Sequence, residues 1–148
     1  ILKKKYGNDA EKWVLDFERS KFSGKVSSHL FERIERISEQ SAGAGFDIIS
    51  IKSENSLVPD KFIEVKSFGD ERKFYWSINE MKVAREKRDD YFIYLIDRNE
   101  MDFPNYKPIE IKNPSEKILN GTIIEDKLKF VNESESIVVE AENFIFNF

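Results

Sequence analysis

The run YFIYLID at residues 91–97 is the most apolar stretch of the chain, and it constrains the fold more than any other segment. A strand with almost no polar alternation needs cover on both faces, so it belongs in the interior of a sheet. A second apolar run, FIEVKSF at residues 62–68, has the same character except for Glu64 and Lys66. Side chains alternate across a strand, so these two charges project to the same side of the sheet. Between the two runs, KFYW (73–76) reads as a short strand. It is followed by Ser77 and Glu80, the S-x-x-E capping box whose side chains satisfy free backbone N–H groups of a first helical turn. That box predicts a helix running to about Arg88.

The segment NDAEKWVLDFERSKF (8–22) has helical spacing, with Trp13, Val14 and Phe17 on one side and Asn8 or Asp9 as the cap. Glu11, Leu15, Glu18 and Phe22 form a second stripe, which places two glutamates on a face with apolar residues and predicts burial of at least one. Residues 25–40 are ambiguous between helix and strand; Phe31, Ile34 and Ile37 favour a strand near 31–38. The Gly-rich turn SAGAG (41–45) opens the strand FDIISIK (46–52), and residues 55–59 turn the chain into the next strand. Downstream, KPIEIK (107–112) reads as a strand and NPSEKIL (113–119) as a helical turn. Residues 121–148 read as one terminal hairpin joined at NESE. The fold class is therefore α/β, a mixed central sheet flanked by helices with a C-terminal β-rich extension. Residues 1–112 form the core, and 113–148 an extension of the same domain.

Composition excludes several function classes. There is no Cys, which rules out disulfides and thiolate metal sites. No apolar run approaches a membrane span, and the N-terminus is no secretory signal, so a cytoplasmic protein with no membrane partner is expected. The chain begins at Ile1 rather than Met, as expected of a piece of something larger. Net charge is −4 and uneven: residues 1–98 carry 19 Lys and Arg against 18 Asp and Glu, and residues 99–148 carry 5 against 10. A nucleic-acid binder usually shows a basic excess, which here is confined to local patches such as residues 3–5, 71–73 and 85–88. No Gly-rich phosphate loop or Ser/His/Asp set supports a small-molecule enzyme.

Taken alone, Glu64 and Lys66 read as a surface ion pair on a half-exposed strand. Upstream, Asp47 stands at the mouth of the preceding strand. If 46–52 and 61–67 form a hairpin, Asp47 and Glu64 lie side by side near one sheet edge, where two carboxylates repel unless a cation sits between them. With no Cys and a single His (His29), the available ligands are oxygens, which select Mg²⁺ or Mn²⁺. A lysine beside such carboxylates suits phosphate chemistry.

The stretches GAGFDIIS, KFIEVKSF and FYWSINEMKVAREKRDDYFIYLI, with YGNDAEKWVLDFE upstream, resemble the bacterial domains that share a C-terminal region with the plant protein NO VEIN. That resemblance extends to the PD-(D/E)xK nuclease superfamily, the restriction-endonuclease-like fold, and covers roughly residues 6–98. It implies that Asp47 is the superfamily aspartate, Glu64 the second acid, Lys66 the lysine and Glu11 the first-helix glutamate, with Glu18 as substitute. Pro59–Asp60 spells the motif's first letters but lies too close to Glu64, so Asp60 is expected in a turn. The implied activity is Mg²⁺-dependent (or Mn²⁺-dependent) cleavage of nucleic acid, DNA above all, by an endonuclease domain of a restriction or phage-defence system. It would act as a homodimer or beside a neighbouring domain of a larger chain. The alternative is a catalytically silent nuclease-fold module retained for protein or nucleic-acid interaction.

Overall fold

A computed structural model describes residues 1–38, 40–41, 43–119, 123–124, 127–128, 137–139 and 143–148. Helix α1 (Leu2–Phe22) leads into a short α2 (Ser28–Glu32) and a two-residue strand β1 (Glu35–Arg36). Strands β2 (Ile48–Ser50), β3 (Lys61–Phe68) and β4 (Lys73–Ser77) precede α3 (Ile78–Lys87), and β5 (Tyr91–Asp97), β6 (Ile109–Lys112) and α4 (Pro114–Lys117) follow it. The tail holds β7 (Ile123–Ile124), β8 (Lys127–Leu128), β9 (Ile137–Val139) and β10 (Asn143–Asn147).

The central sheet has five strands in the order β1-β2-β3-β5-β6. Only β3 and β5 run parallel, in register from Phe62 with Tyr91 to Phe68 with Asp97. A parallel pair needs a crossover, and the segment containing β4 and α3 supplies it. The fold is thus a mixed α/β sheet flanked by helices, as the apolar runs predict. The run at 91–97 lies inside the sheet, although β3 is its middle strand.

Alternation along β3 separates two cores. Ile63 and Val65 join Ala10 and Val14 of α1, with Ile48, Tyr94 and Ile96. On the opposite side, Phe68 packs with Met81 and Ala84 of α3, with Trp76, and with Tyr91, Ile93 and Leu95. Each face of the sheet is therefore covered by one long helix, and the charges of β3 are enclosed rather than solvated. Strand β4 leaves this sheet to pair antiparallel with β10, setting Trp76 opposite Phe144 and Phe74 opposite Phe146, with β9 outside. The Phe74 and Phe146 rings stack at 5.2 Å, so the end of the chain closes over the core.

Three expectations are corrected. Helix α1 starts at Leu2, so Asn8 and Asp9 sit within it: Asp9 pairs with Lys5 one turn back (3.0 Å), and Asn8 accepts from Arg36 (2.7 Å). The strand expected near 31–38 is reduced to Glu35–Arg36, which pair with β2, because Ser27 caps α2 by accepting from the Leu30 N–H (3.2 Å) and that helix runs to Glu32. The tail is not one hairpin: β7 pairs with β8, and β9 with β10. Its expected NESE link lies outside the described residues. Asn79 donates to the Gly43 carbonyl (3.1 Å), fastening the Gly-rich turn to α3.

That turn has one position open to glycine alone. Gly45 has φ +81°, and a Cβ there would lie 2.6 Å from the Val83 side chain. Its carbonyl accepts the buried Tyr91 hydroxyl (2.7 Å), so the backbone cannot shift freely. Gly45→Ala is expected to lower unfolding free energy by about 1–3 kcal/mol in urea titrations, through left-handed strain and the clash with Val83.

Candidate functional site

The site begins where β2 parts from β3. Pairing holds through Ile48 opposite Ile63, and the Asp47 N–H still donates to the Ile63 carbonyl (2.8 Å). Beyond that point the next β3 N–H on this edge, that of Val65, has no strand to meet. The Asp47 carboxylate takes its place, with Oδ2 accepting at 2.8 Å. Asp47 is thereby fixed opposite Glu64 in register, as the proposed hairpin requires.

From the α3 side come three more groups. Glu64 and Lys66 project to the same face of β3, and Lys66 Nζ lies 3.1 Å from Glu64 Oε1 and 2.8 Å from Glu80 Oε1. The same Glu80 oxygen accepts the Ser77 N–H (3.1 Å), and Ser77 Oγ accepts from the Glu80 N–H (3.1 Å). The capping box therefore does two jobs, starting α3 and holding the lysine. Glu64 is only 4% exposed, which excludes the surface-pair reading. From the α1 side comes Glu11, hydrogen-bonded to the Asp47 carboxyl and paired with Arg36. Arg36 also donates to Asn8 and Ser38.

The electrostatics follow from this crowding. Burial, the hydrogen bond to Glu11 and the like charge of Glu11 push Asp47 up to about 8, against the Val65 N–H and Lys66. Burial also raises Glu64 well above the usual carboxylate range despite Lys66. Burial opposes the Lys66 charge, but Glu64 and Glu80 outweigh it and hold the ammonium more firmly protonated than a free lysine. For Glu80 the balance runs the other way: Lys66 and the Ser77 N–H overcome burial and keep it ionised. Lys66 is thus held as an ammonium by its two carboxylate partners.

Four carboxyls, Glu11, Asp47, Glu64 and Glu80, surround two cations, Arg36 and Lys66. The surplus of two negative charges is relieved by protons or by a divalent cation. All donors are hard oxygens, which fits Mg²⁺ or Mn²⁺. Among the described residues, no three acid, His or Cys side chains stand arranged to hold a metal ion, since Glu11 and Glu64 are turned toward Arg36 and Lys66.

Of the residues singled out in the sequence, Glu11, Asp47, Glu64 and Lys66 converge and Glu18 does not. Two helical turns beyond Glu11, Glu18 meets Lys61 (3.2 Å), Lys21 (2.6 Å) and the Tyr94 hydroxyl (2.9 Å). Burial disfavours its charge, but Lys61 and Lys21 prevail and lower it. Glu18 is therefore no substitute ligand. Asp60 is a turn residue, accepting from the Lys52 N–H (2.7 Å) and the Ser56 hydroxyl (2.8 Å). His29 is exposed on α2. Sequence reasoning missed the second role of Glu80, visible there only as a cap, and missed Arg36, which carries no local signal.

Residues 10–112 match the family described as protein NO VEIN, C-terminal, and the chain belongs to that family. The matched segment contains every residue of the site. No curated protein and no solved structure matches the chain.

The Asp47 shift sets a pH dependence. Its folded value, about 8, lies above the unfolded value near 3.8, so the native state binds the extra proton. Stability from this group is full below the unfolded value and is lost as pH rises through the folded one. Without divalent cations, the urea midpoint should fall from about pH 4 to pH 8. Asp47→Asn keeps an acceptor for Val65 and should flatten that slope, leaving the variant more stable at pH 8 by on the order of 1–3 kcal/mol.

Proposed function

We propose that this member of the NO VEIN C-terminal family is a divalent-metal-dependent phosphodiester hydrolase, a DNA endonuclease domain of the PD-(D/E)xK type. The supporting observation is the charge imbalance: four carboxyls around two cations, with Asp47 protonated up to about 8 and Lys66 held as an ammonium. Asp47 and Glu64 are the residues that would hold Mg²⁺ or Mn²⁺, with Glu11 completing the set. When bound there, the metal supplies Lewis acidity and makes water a usable nucleophile at neutral pH.

The chain's own residues do the rest. Lys66 carries a fixed positive charge beside the acids, suited to the negative charge that gathers on phosphoryl oxygens as the bond breaks. Because it stays protonated, it orients and neutralises and leaves proton removal to another group. Glu80 sets the position of that ammonium from the first turn of α3, and Arg36 sets the position of Glu11. Among the described residues no helix is long and apolar enough to cross a membrane. A cytoplasmic role in restriction or phage defence follows from the resemblance. There a second copy or an adjoining DNA-handling domain supplies the affinity that a net charge of −4 does not.

A second reading, a catalytically silent nuclease-fold module, draws on one observation: Glu64 is committed to Lys66, and the acids do not stand arranged around a point. Nicking of supercoiled plasmid separates the two. With Mg²⁺ the wild type should nick, EDTA should abolish nicking, and Asp47→Asn or Lys66→Ala should slow it at least about 100-fold. Nicking that survives both substitutions is a contaminant's. Absence of nicking on DNA and RNA, with no Mn²⁺ bound in calorimetry, establishes the silent module.

A further inference from the structure

A cleft of about 690 Å³ runs from Lys66 away from the four carboxyls. Lys3, Tyr6 and Gly7 on the first turns of α1 form one side, and Lys73 and Tyr75 on β4 the other, with Lys66 between them. The volume falls within the range of sites for small organic ligands.

Two aromatic rings meet cations here. Tyr75 is 41% exposed, whereas its strand neighbours Phe74 and Trp76 are buried, so its ring faces the cleft side of β4 rather than the core. Lys3 Nζ lies 5.8 Å from the Tyr75 ring centre, and the Arg98 guanidinium lies 4.2 Å from that of Tyr6. Asp70 and Glu71 also line the cleft, but each has a partner: Asn99 for Asp70 (2.9 Å) and Lys73 for Glu71 (2.7 Å). Lys73 is thereby paired with Glu71, and Lys66 is held by Glu64 and Glu80, so the cations that the cleft presents against its rings are Lys3 and Arg98.

Gly7 adds an independent sign. A glycine inside a helix is unfavourable compared with alanine or leucine. Nothing in the packing requires it, because an added Cβ would meet no atom within 4 Å. What its missing side chain leaves open is the cleft.

From these features we propose that the cleft holds an unpaired nucleotide, its base against the Tyr75 and Tyr6 rings and its phosphates toward Lys3 and Arg98. The chain then engages single-stranded nucleic acid, or a strand end splayed from a duplex, in preference to an intact double helix. The inference rests on phosphodiester hydrolysis at Lys66 and names the strand form delivered to it. Stacking on aromatic side chains is indifferent to sequence, because every base has a ring face.

The test is fluorescence anisotropy in EDTA, with labelled 12-nucleotide oligo-dT and oligo-U and a mixed-sequence duplex of equal length. Tighter binding of either single strand than of the duplex supports the cleft and identifies the preferred sugar. Tyr75→Ala should weaken single-strand binding at least about five-fold. Gly7→Leu should do the same while its melting temperature stays at or above wild type, which separates a filled cleft from a failed fold. Duplex binding equal to or tighter than single-strand binding, or wild-type affinity in both variants, overturns the proposal. No cleavage occurs in EDTA, so the outcome is independent of the nicking assay. A chain that nicks plasmid but shows no strand preference keeps hydrolysis and loses the cleft. One that prefers single strands but never cleaves keeps the nucleotide site and loses hydrolysis.

Discussion

Where β2 turns away from β3, the Asp47 carboxylate accepts the Val65 N–H that the departing strand leaves behind (2.8 Å). An unpaired backbone donor at a half-buried sheet edge is costly, so this bond holds the end of β2 in register. It also holds a carboxylate within reach of groups from both sides of the sheet. Glu11 reaches Asp47 from α1 on one side, while Glu64 and Lys66 lie on the α3 side. Both helices contribute charge to this edge of the sheet because of it.

The molecule contains a second buried ionic group, and the contrast is instructive. Around Tyr94, Glu18 and Glu110 face Lys61 and Lys21, two acids to two cations. Such a group is closed: its charges are mutually satisfied, and removal of either partner would leave the other uncompensated. Around Asp47 the acids outnumber the cations, and the excess is carried as raised carboxyl affinities for protons. A balanced cluster is architecture. An unbalanced one retains a standing affinity for positive charge, and such sites are where function concentrates.

Much of this was readable from the chain. The apolar run at 91–97, the capping box at Ser77 and Glu80, and the pairing of Asp47 with Glu64 all depend on local pattern or on one short hairpin. What escaped was non-local or doubly determined. The start of α1 carries three successive lysines and Gly7, with no apolar period to announce a helix, so the local pattern places the cap late, at Asn8 or Asp9. Glu18 shares a stripe with Glu11, and only the height of α1 on the sheet sends it to Lys61. Arg36 lies on a two-residue strand too short to leave a period, and Glu80 spends one oxygen on two partners, only one of which a motif can express. Strand β4 follows β3 directly along the chain, yet it pairs with residues some seventy positions later, which no local pattern announces.

That distant pairing carries a mechanical corollary. Ser77 is both the last residue of β4, matched to Asn143, and the residue whose N–H steadies the Glu80 carboxylate on Lys66. Three residues of covalent chain thus connect the tail's ladder to the ammonium. The tail is a tether on the lysine: the strand that seals the molecule also anchors the residue that steadies the ammonium's carboxylate partner.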